Sequence, residues 1–132
     1  HWIKEGHPDM DVTGINVDRF RTYHGTPEFR NQRTPESLGN TYALHYPHKL
    51  HKTGRGVKRS PFHERLDAQR AVWRDVSGWE CADFFAKDDL ESSREHGPLS
   101  WGKHHWFDVW AEEHEACRNE AALFDMSFMS KF

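Results

Sequence analysis

Eleven histidines in 132 residues are the first feature with chemical potential, because neutral imidazole is the commonest protein ligand for transition metals. His45, His48 and His51 recur at three-residue intervals, and His114 and Cys117 repeat that interval later, a spacing that puts two donors on one helix face. A structural zinc site needs four donors converging as a tetrahedron. Pro47 interrupts the first group, and neither Cys81 nor Cys117 has a second cysteine nearby. The expectation is therefore surface or interface histidines and no metal site. Cys117 is expected on the buried face of a helix as a small apolar group, and Cys81 has no histidine at a telling spacing. The run Lys49, Lys52, Arg55, Lys58 and Arg59, with Gly54 and Gly56 inside it, has the composition of a backbone nest for phosphate. It fits no nucleotide-loop pattern, so a solvated linker is the expectation. No Gly-x-Gly-x-x-Gly fingerprint occurs in the chain, and no catalytic residue is assigned within it.

The elements that would position these groups follow from caps and periodicity. Trp2-Ile3-Lys4-Glu5-Gly6 reads as the last turn of a helix with its glycine stop, and His7 to Gly14 as loop. Thr26-Pro27-Glu28 and Thr34-Pro35-Glu36 each combine a capping hydroxyl, a proline at the first helical position and an early carboxylate. The second is expected to run to about Tyr46 and stop before Pro47. Ser60-Pro61-Phe62-His63-Glu64 repeats the start signal, with Ser60 as cap and an apolar face of Phe62, Leu66 and Ala68 or Gln69. Ala71 to Val76 predicts a short strand ending at Ser77-Gly78, and Lys87 to Gly97 an exposed loop. Trp106 to Ala121 predicts an amphipathic helix burying Trp106, Phe107, Trp110, Cys117 and Ala121. Leu123 to Phe132, alternating at Phe124, Met126 and Phe128, predicts a strand. The expected fold class is α+β: small helices starting at Thr26, Thr34, Ser60 and near Trp106, with short strands, as partial folds from two joined domains.

Composition bounds the function. Only 36% of residues are apolar and mean hydropathy is -0.96, low for a self-sufficient globule. Six Trp and nine Phe nevertheless argue for folded structure. A net charge of -3 gives no general pull toward nucleic acid or an anionic membrane. No apolar run approaches membrane-spanning length. Two cysteines cannot build a disulfide framework, which suits a reducing compartment. The chain opens on what reads as the end of a helix and stops within an apolar run at Phe132. The expectation is a piece of a longer protein, with an aromatic face that the rest of the parent covers.

From Ser60 onward, several short motifs occur in a specific order. Ser60-Pro61-Phe62-His63-Glu64-Arg65-Leu66, Gly78-Trp79-Glu80, Trp106-Phe107 and Phe124-Asp125-Met126-Ser127-Phe128-Met129-Ser130-Lys131-Phe132 resemble the opening of the aminomethyltransferase, or glycine cleavage T-protein, domain. More narrowly they resemble its version fused behind an FAD-dependent oxidoreductase in the dimethylglycine and sarcosine dehydrogenase family. Trp2-Ile3, Gly6, Pro8, Asp11 and Val17-Asp18-Arg19-Phe20 resemble the exit from the flavin domain, and Tyr46-Pro47-His48 through Arg55-Gly56 the short central module. The resemblance divides the chain into the C-terminal end of the oxidoreductase domain (1–20), its central module (21–59) and the N-terminal part of the folate-binding aminomethyltransferase domain (60–132). The sequence departs from the family pattern in three places. Arg70 stands where a small residue or glycine is usual, Glu80-Cys81-Ala82 replaces Glu-Arg-Pro, and Ala122 replaces a glycine.

The resemblance implies a parent in which a flavin removes hydride from an N-methyl amine and the one-carbon unit passes to tetrahydrofolate. It places Met129 in the pterin slot, while periodicity alone makes Met129 core. FAD and tetrahydrofolate are expected in the parent, and neither bound by the 132-residue chain alone. The implied partners are a small N-methyl amine substrate and electron-transfer flavoprotein or oxygen as acceptor, with no nucleic acid and no membrane. The expected location is the mitochondrial matrix in a eukaryote and the cytoplasm in a bacterium. The same architecture also occurs in a non-catalytic regulatory relative, that of the pyruvate dehydrogenase phosphatase complex. An intact dinucleotide fingerprint upstream would favour the enzyme, and a degraded one the regulator.

Overall fold

A computed structural model of the chain describes residues 2–44, 49–90, 94–98 and 100–130. Its elements are α1 (Trp2–Glu5), three 3-10 turns (Thr13–Ile15, Val17–Arg19 and Thr22–Gly25), α2 (Pro27–Asn40), α3 (His63–Ala68), β1 (Ala71–Val76), β2 (Trp79–Phe85) and α4 (Phe107–Asn119). The fold is the expected α+β arrangement, with a two-stranded antiparallel sheet. Gly6 stops α1 at φ 77° while its N–H donates to the Trp2 carbonyl at 2.8 Å.

Helix α2 starts as its cap signal dictates. Thr26 Oγ1 accepts from the Phe29 N–H at 3.4 Å, and Pro27 takes a position where its missing N–H costs nothing. The second expected start, at Thr34, does not form, and Pro35 lies inside the one helix. An interior proline costs about 3 kcal/mol, and tertiary contacts on both sides of it override that local preference. Arg33 donates to the Thr53 carbonyl at 2.6 Å, and Glu36 accepts from the Lys52 N–H at 2.7 Å and the Thr53 N–H at 2.9 Å. The helix ends at Asn40, short of the expected Tyr46, on the weak helix formers Gly39 and Asn40. Tyr46 and Pro47 lie outside the described residues.

The strand at Ala71–Val76 forms as expected, and Ser77-Gly78 does more than end it. With φ of 53° and 84° these two residues make the tight turn whose twist suits a hairpin. The Asp75 carboxylate accepts from the Gly78 N–H at 2.7 Å. A side chain at Gly78 would put its Cβ 2.5 Å from the Tyr23 hydroxyl, so glycine also permits that approach. Strand β2, which sequence reasoning missed, returns in register from Val76↔Trp79 to Val72↔Phe84, with a bulge that leaves Asp83 unpaired. Val72 and Phe84 are each 2% exposed and pack with Ala86 and Trp106 as the core.

Three further expectations are corrected. Helix α3 begins at His63 with Phe62 at its cap, because Pro61 and Phe62 form a turn closed by Ser60, whose Oγ accepts from the Phe62 N–H at 3.2 Å and whose carbonyl accepts from the His63 N–H at 3.1 Å. Helix α4 is rotated by one residue from expectation. Trp106, Val109, Glu113 and Ala116 face inward, while Phe107, Trp110 and Cys117 are exposed. The inward face is chosen by Trp106, which enters the core, and by Glu113, which accepts from the Phe85 N–H at 3.1 Å. Residues 121–130 form no strand; Met129 N–H instead closes a turn onto the Met126 carbonyl at 3.1 Å, since no described strand offers those residues a neighbour.

Arg70, one of the departures from the family pattern, has φ 65° at the end of α3, where an L side chain costs on the order of 1–2 kcal/mol. That geometry is the physical reason a glycine suits the position. Here Arg70 Nε donates to the Ala86 carbonyl at 2.9 Å, which offsets part of the strain.

Candidate functional site

Residues 49–59 are not the solvated linker that their charge suggests. They form a strap between α2 and the hairpin, clamped by two carboxylates. On the α2 side Glu36 takes the Lys52 and Thr53 N–H groups and the Thr53 hydroxyl. Burial pushes the Glu36 carboxyl up, but the Thr53 hydroxyl and the two backbone donors outweigh it and lower its pKa from 4.5 to about 2. On the hairpin side Glu80, with its side chain 7% exposed, receives a bidentate Arg55 guanidinium and the Gly56 N–H at 2.5 Å. Lys58 then pairs beside Trp79, donating its N–H to the Gly78 carbonyl and accepting from the Glu80 N–H at 2.9 Å. Gly54 and Gly56, with φ of 58° and 74°, turn the strap so that the Gly56 N–H meets Glu80, while the Gly54 N–H donates to Gln32 Oε1 at 3.4 Å.

The Glu36 clamp predicts a pH dependence. Because the folded carboxyl is depressed, its stabilising contribution is complete above the ordinary value of 4.5 and is lost as pH falls toward about 2. Glu36→Gln is expected to destabilise the protein at pH 7 by about 1–2 kcal/mol, from charge-assisted hydrogen bonds to a partly exposed group. It should also flatten the pH dependence of the thermal midpoint between those two values. Melting curves of both proteins across that interval check this. An unchanged slope would mean that Glu36 is not the group that titrates.

On the opposite sheet face, the bulge at Asp83 builds a second polar cluster. Asp83 accepts from Arg74 at 3.3 Å and pairs with His96 Nε2 at 2.7 Å, while its carbonyl accepts from the Trp110 indole at 3.1 Å. Burial pushes the Asp83 carboxyl up, but the His96 hydrogen bond and the Arg74 charge hold it below the usual carboxylate range. His96 in turn accepts the Trp106 indole N–H on its carbonyl at 3.2 Å. The end of the expected exposed loop is therefore packed, with Arg94 also donating to Asp67 at 2.6 Å; residues 91–93 lie outside the described residues. Alternation in Trp79 to Phe85 opposite a Ser-Gly turn could have revealed β2 and the position of Asp83. The pairing with His96 left no local signal.

The remaining candidates are dispersed. His45 and His48 lie outside the described residues. The His51 carbonyl accepts from Arg55 at 3.2 Å within the strap. His114 and Cys117 share the exposed face of α4. Among the described residues no three His, Cys, Asp or Glu side chains come together as a cation site. Burial, with Asp125 next, pushes the half-buried Cys81 thiol up, away from the reactive thiolate. Met129 is 49% exposed on the 126–129 turn and so does not fill the core as its periodicity predicts. Met126, at 44%, and Phe124, at 67%, are exposed near it in the chain. Among the described residues no helix is long and apolar enough to cross a membrane.

Comparison with known proteins gives two contiguous family matches. The FAD dependent oxidoreductase central domain matches residues 5–60, and the GCVT N-terminal domain matches residues 62–132. The chain is 36% identical over 131 residues to a 4-methylaminobutanoate oxidase (formaldehyde-forming) of Paenarthrobacter nicotinovorans, covering 99% of this chain and 16% of that protein. It is 31% identical over 158 residues to human mitochondrial sarcosine dehydrogenase, covering 100% of this chain and 17% of that protein. It is also 29% identical over 131 residues to the mouse mitochondrial pyruvate dehydrogenase phosphatase regulatory subunit, covering 99% and 15%. The chain thus spans 15–17% of the length of these relatives.

Proposed function

This chain belongs to the family in which an FAD-dependent oxidoreductase central domain runs directly into a GCVT N-terminal domain, and from that premise we propose that it is the junction of an FAD- and tetrahydrofolate-dependent N-methyl amine dehydrogenase. The observation that carries the reading is the contiguity of the two matches, at 5–60 and 62–132, together with relatives named for two N-methyl amino acids. When bound, FAD supplies a hydride acceptor for the N-methyl carbon and tetrahydrofolate supplies the amine that takes up the one-carbon unit. An FAD pyrophosphate needs a glycine turn at a helix N-terminus, and none of the described residues fits that role. For the folate, the exposed Met129 thioether suits the apolar face of a flat ring. The chain's own contribution is then positional. Glu36 and Glu80 hold one strap between α2 and the hairpin, fixing the two matched regions in register across residues 49–59.

The parent's substrate is a small secondary or tertiary N-methyl amine such as sarcosine, dimethylglycine or 4-methylaminobutanoate, and electron-transfer flavoprotein or oxygen takes up the electrons removed from it. Two relatives carry "mitochondrial" in their names, which supports the matrix for a eukaryotic parent; a bacterial one would be cytoplasmic. The similarity to the phosphatase regulatory subunit supports a second reading, a non-catalytic parent with the same architecture. Purifying the full-length parent separates the two. The enzyme reading expects a flavin absorbance band, anaerobic bleaching by one of the three amines, and less free formaldehyde when tetrahydrofolate is added. A flavin-free protein that none of them reduces would leave the regulatory reading. The 132-residue chain alone is expected to purify colourless and to oxidise neither sarcosine nor dimethylglycine; a yellow preparation would contradict the placement of the flavin site outside it.

A further inference from the structure

Between the 3-10 turn Thr22–Gly25, the first turns of α2 and the β1–β2 turn lies an open cleft that neither the strap nor the family matches explain. One wall is a set of packed rings, with Tyr23 stacked on His24 at 4.0 Å and 28° and the other pairs edge to face. Tyr23 and Phe29 meet at 5.2 Å and 79°, His24 and Phe29 at 5.2 Å and 83°, and Phe20 adds its edge to His24 at 5.4 Å. The rings continue without a break into an apolar groove along α2 that reaches Leu38, which is 66% exposed. Around the mouth stand Arg19, Arg21 and Lys58. Among the described residues none of these three forms an ion pair, whereas Arg33 beside them is matched by Asp75 at 3.3 Å. The cleft therefore carries three cations in excess of its carboxylates. Two of these cations already lie against rings, Arg19 over Phe20 at 4.6 Å and Lys58 over Tyr23 at 5.4 Å, so the charge and the flat surfaces address one space.

We propose that this cleft is a binding site for a small anion carried on a flat or apolar body, an aryl phosphate or an aromatic carboxylate. The anionic end would be taken by Arg21 and Lys58, and the ring would lie against the wall of Phe20, His24 and Phe29 toward the α2 groove. Lys58 is already aimed, because its ammonium donates to the Ser77 carbonyl at 3.1 Å, which leaves two of its protons for a ligand. Arg21, exposed and with extended backbone at the start of the 3-10 turn, carries a guanidinium fork suited to either headgroup.

Titration of the 132-residue chain with phenyl phosphate, benzoate and inorganic phosphate, followed by amide and side-chain NMR shifts, tests the site. Phenyl phosphate is expected to bind with Kd on the order of 1 mM and to shift Tyr23, His24 and Phe29. Inorganic phosphate should bind at least roughly fivefold more weakly for want of the ring. Benzoate distinguishes the headgroup: binding like phenyl phosphate assigns the site to carboxylates as well, and weaker binding assigns it to phosphates. Arg21→Gln and Lys58→Gln should each weaken phenyl phosphate roughly fivefold with unchanged melting of the exposed Arg21 variant. Phe20→Ala should reduce the preference for the aryl ligand over inorganic phosphate. Equal affinity for phenyl phosphate and inorganic phosphate, shifts elsewhere on the chain, or no binding by any of the three at 20-fold above the expected Kd (roughly 20 mM) would overturn the proposal. These outcomes are independent of whether the parent oxidises an amine.

Discussion

Glu80→Ala is expected to destabilise the protein by about 3–5 kcal/mol, more than any single substitution within the strap that Glu80 holds. The carboxylate is 7% exposed and is the common acceptor for Arg55 Nε at 3.0 Å, for Arg55 Nη2, and for the Gly56 N–H. Its hydrogen bond to Arg55 is also the main reason the guanidinium holds its proton more tightly than usual. Removing Glu80 leaves a half-buried guanidinium with, among the described residues, the His51 and Trp73 carbonyls as partners. It also takes away the acceptor of the Gly56 N–H. Glu80→Gln keeps the shape and removes the charge, so its cost should be intermediate. The pair Arg55→Met with Glu80→Leu should recover much of the loss, because two apolar groups leave no charge uncompensated. Thermal and urea melts of the four proteins measure this, and hydrogen exchange at Thr53 to Lys58 locates it. If Glu80→Ala melts within about 1 kcal/mol of the parent, the strap is held by Glu36 and Arg33 alone and the junction is less rigid than its geometry indicates.

The strap also shows how far the sequence could be read. The charge and glycines of residues 49–59 predict a solvated linker, and the structure clamps them instead. The sequence could not reveal that Glu80, some two dozen positions later, takes Arg55 and the Gly56 N–H, because nothing local to either segment encodes their distance. The cap at Thr26, the glycine stop at Gly6 and the strand at Ala71–Val76 were legible because each is decided within a few residues. Thr34-Pro35-Glu36 carries an equally good local signal and is overridden, since Arg33 and Glu36 are both tied to the strap across the proline. The one-residue rotation of α4 has the same origin. Two apolar stripes compete on that helix, one through Phe107 and Trp110 and one through Trp106 and Val109, and the choice rests on the hairpin against which Trp106 packs. Met129 resisted sequence reading for the complementary reason. The alternation of Phe124, Met126 and Phe128 beside it predicts a strand, but a strand needs a neighbour, and without one among the described residues the segment turns at 126–129 and leaves the thioether half exposed.

Phe84→Ala is expected to cost about 3–5 kcal/mol as well, by a different route. Phe84 is 2% exposed, lies opposite Val72 across the hairpin, and stacks on Trp106 with ring centroids 5.9 Å apart. The edges of His96 and His105 close on the same ring at 5.7 and 6.2 Å. With so few buried apolar side chains among the described residues, no other group can move in to fill the space, and the cavity term should be near the top of its range. At roughly 4 °C per kcal/mol for a chain of this size, the thermal midpoint should fall by about 12–20 °C. The loss removes a large share of the roughly 5–15 kcal/mol a domain has in total. The fluorescence of Trp106 should then report solvent exposure before the strap exchanges its amides, because Phe84 joins α4 to the sheet while Glu80 joins the strap to the other face. Leu123→Ala, at a side chain 92% exposed, is the internal contrast and should stay within about 0.5 kcal/mol. Were Phe84→Ala to melt like Leu123→Ala, the Val72, Phe84 and Trp106 cluster would not be the core, and the packing of α4 on the hairpin would have to be rejected with it.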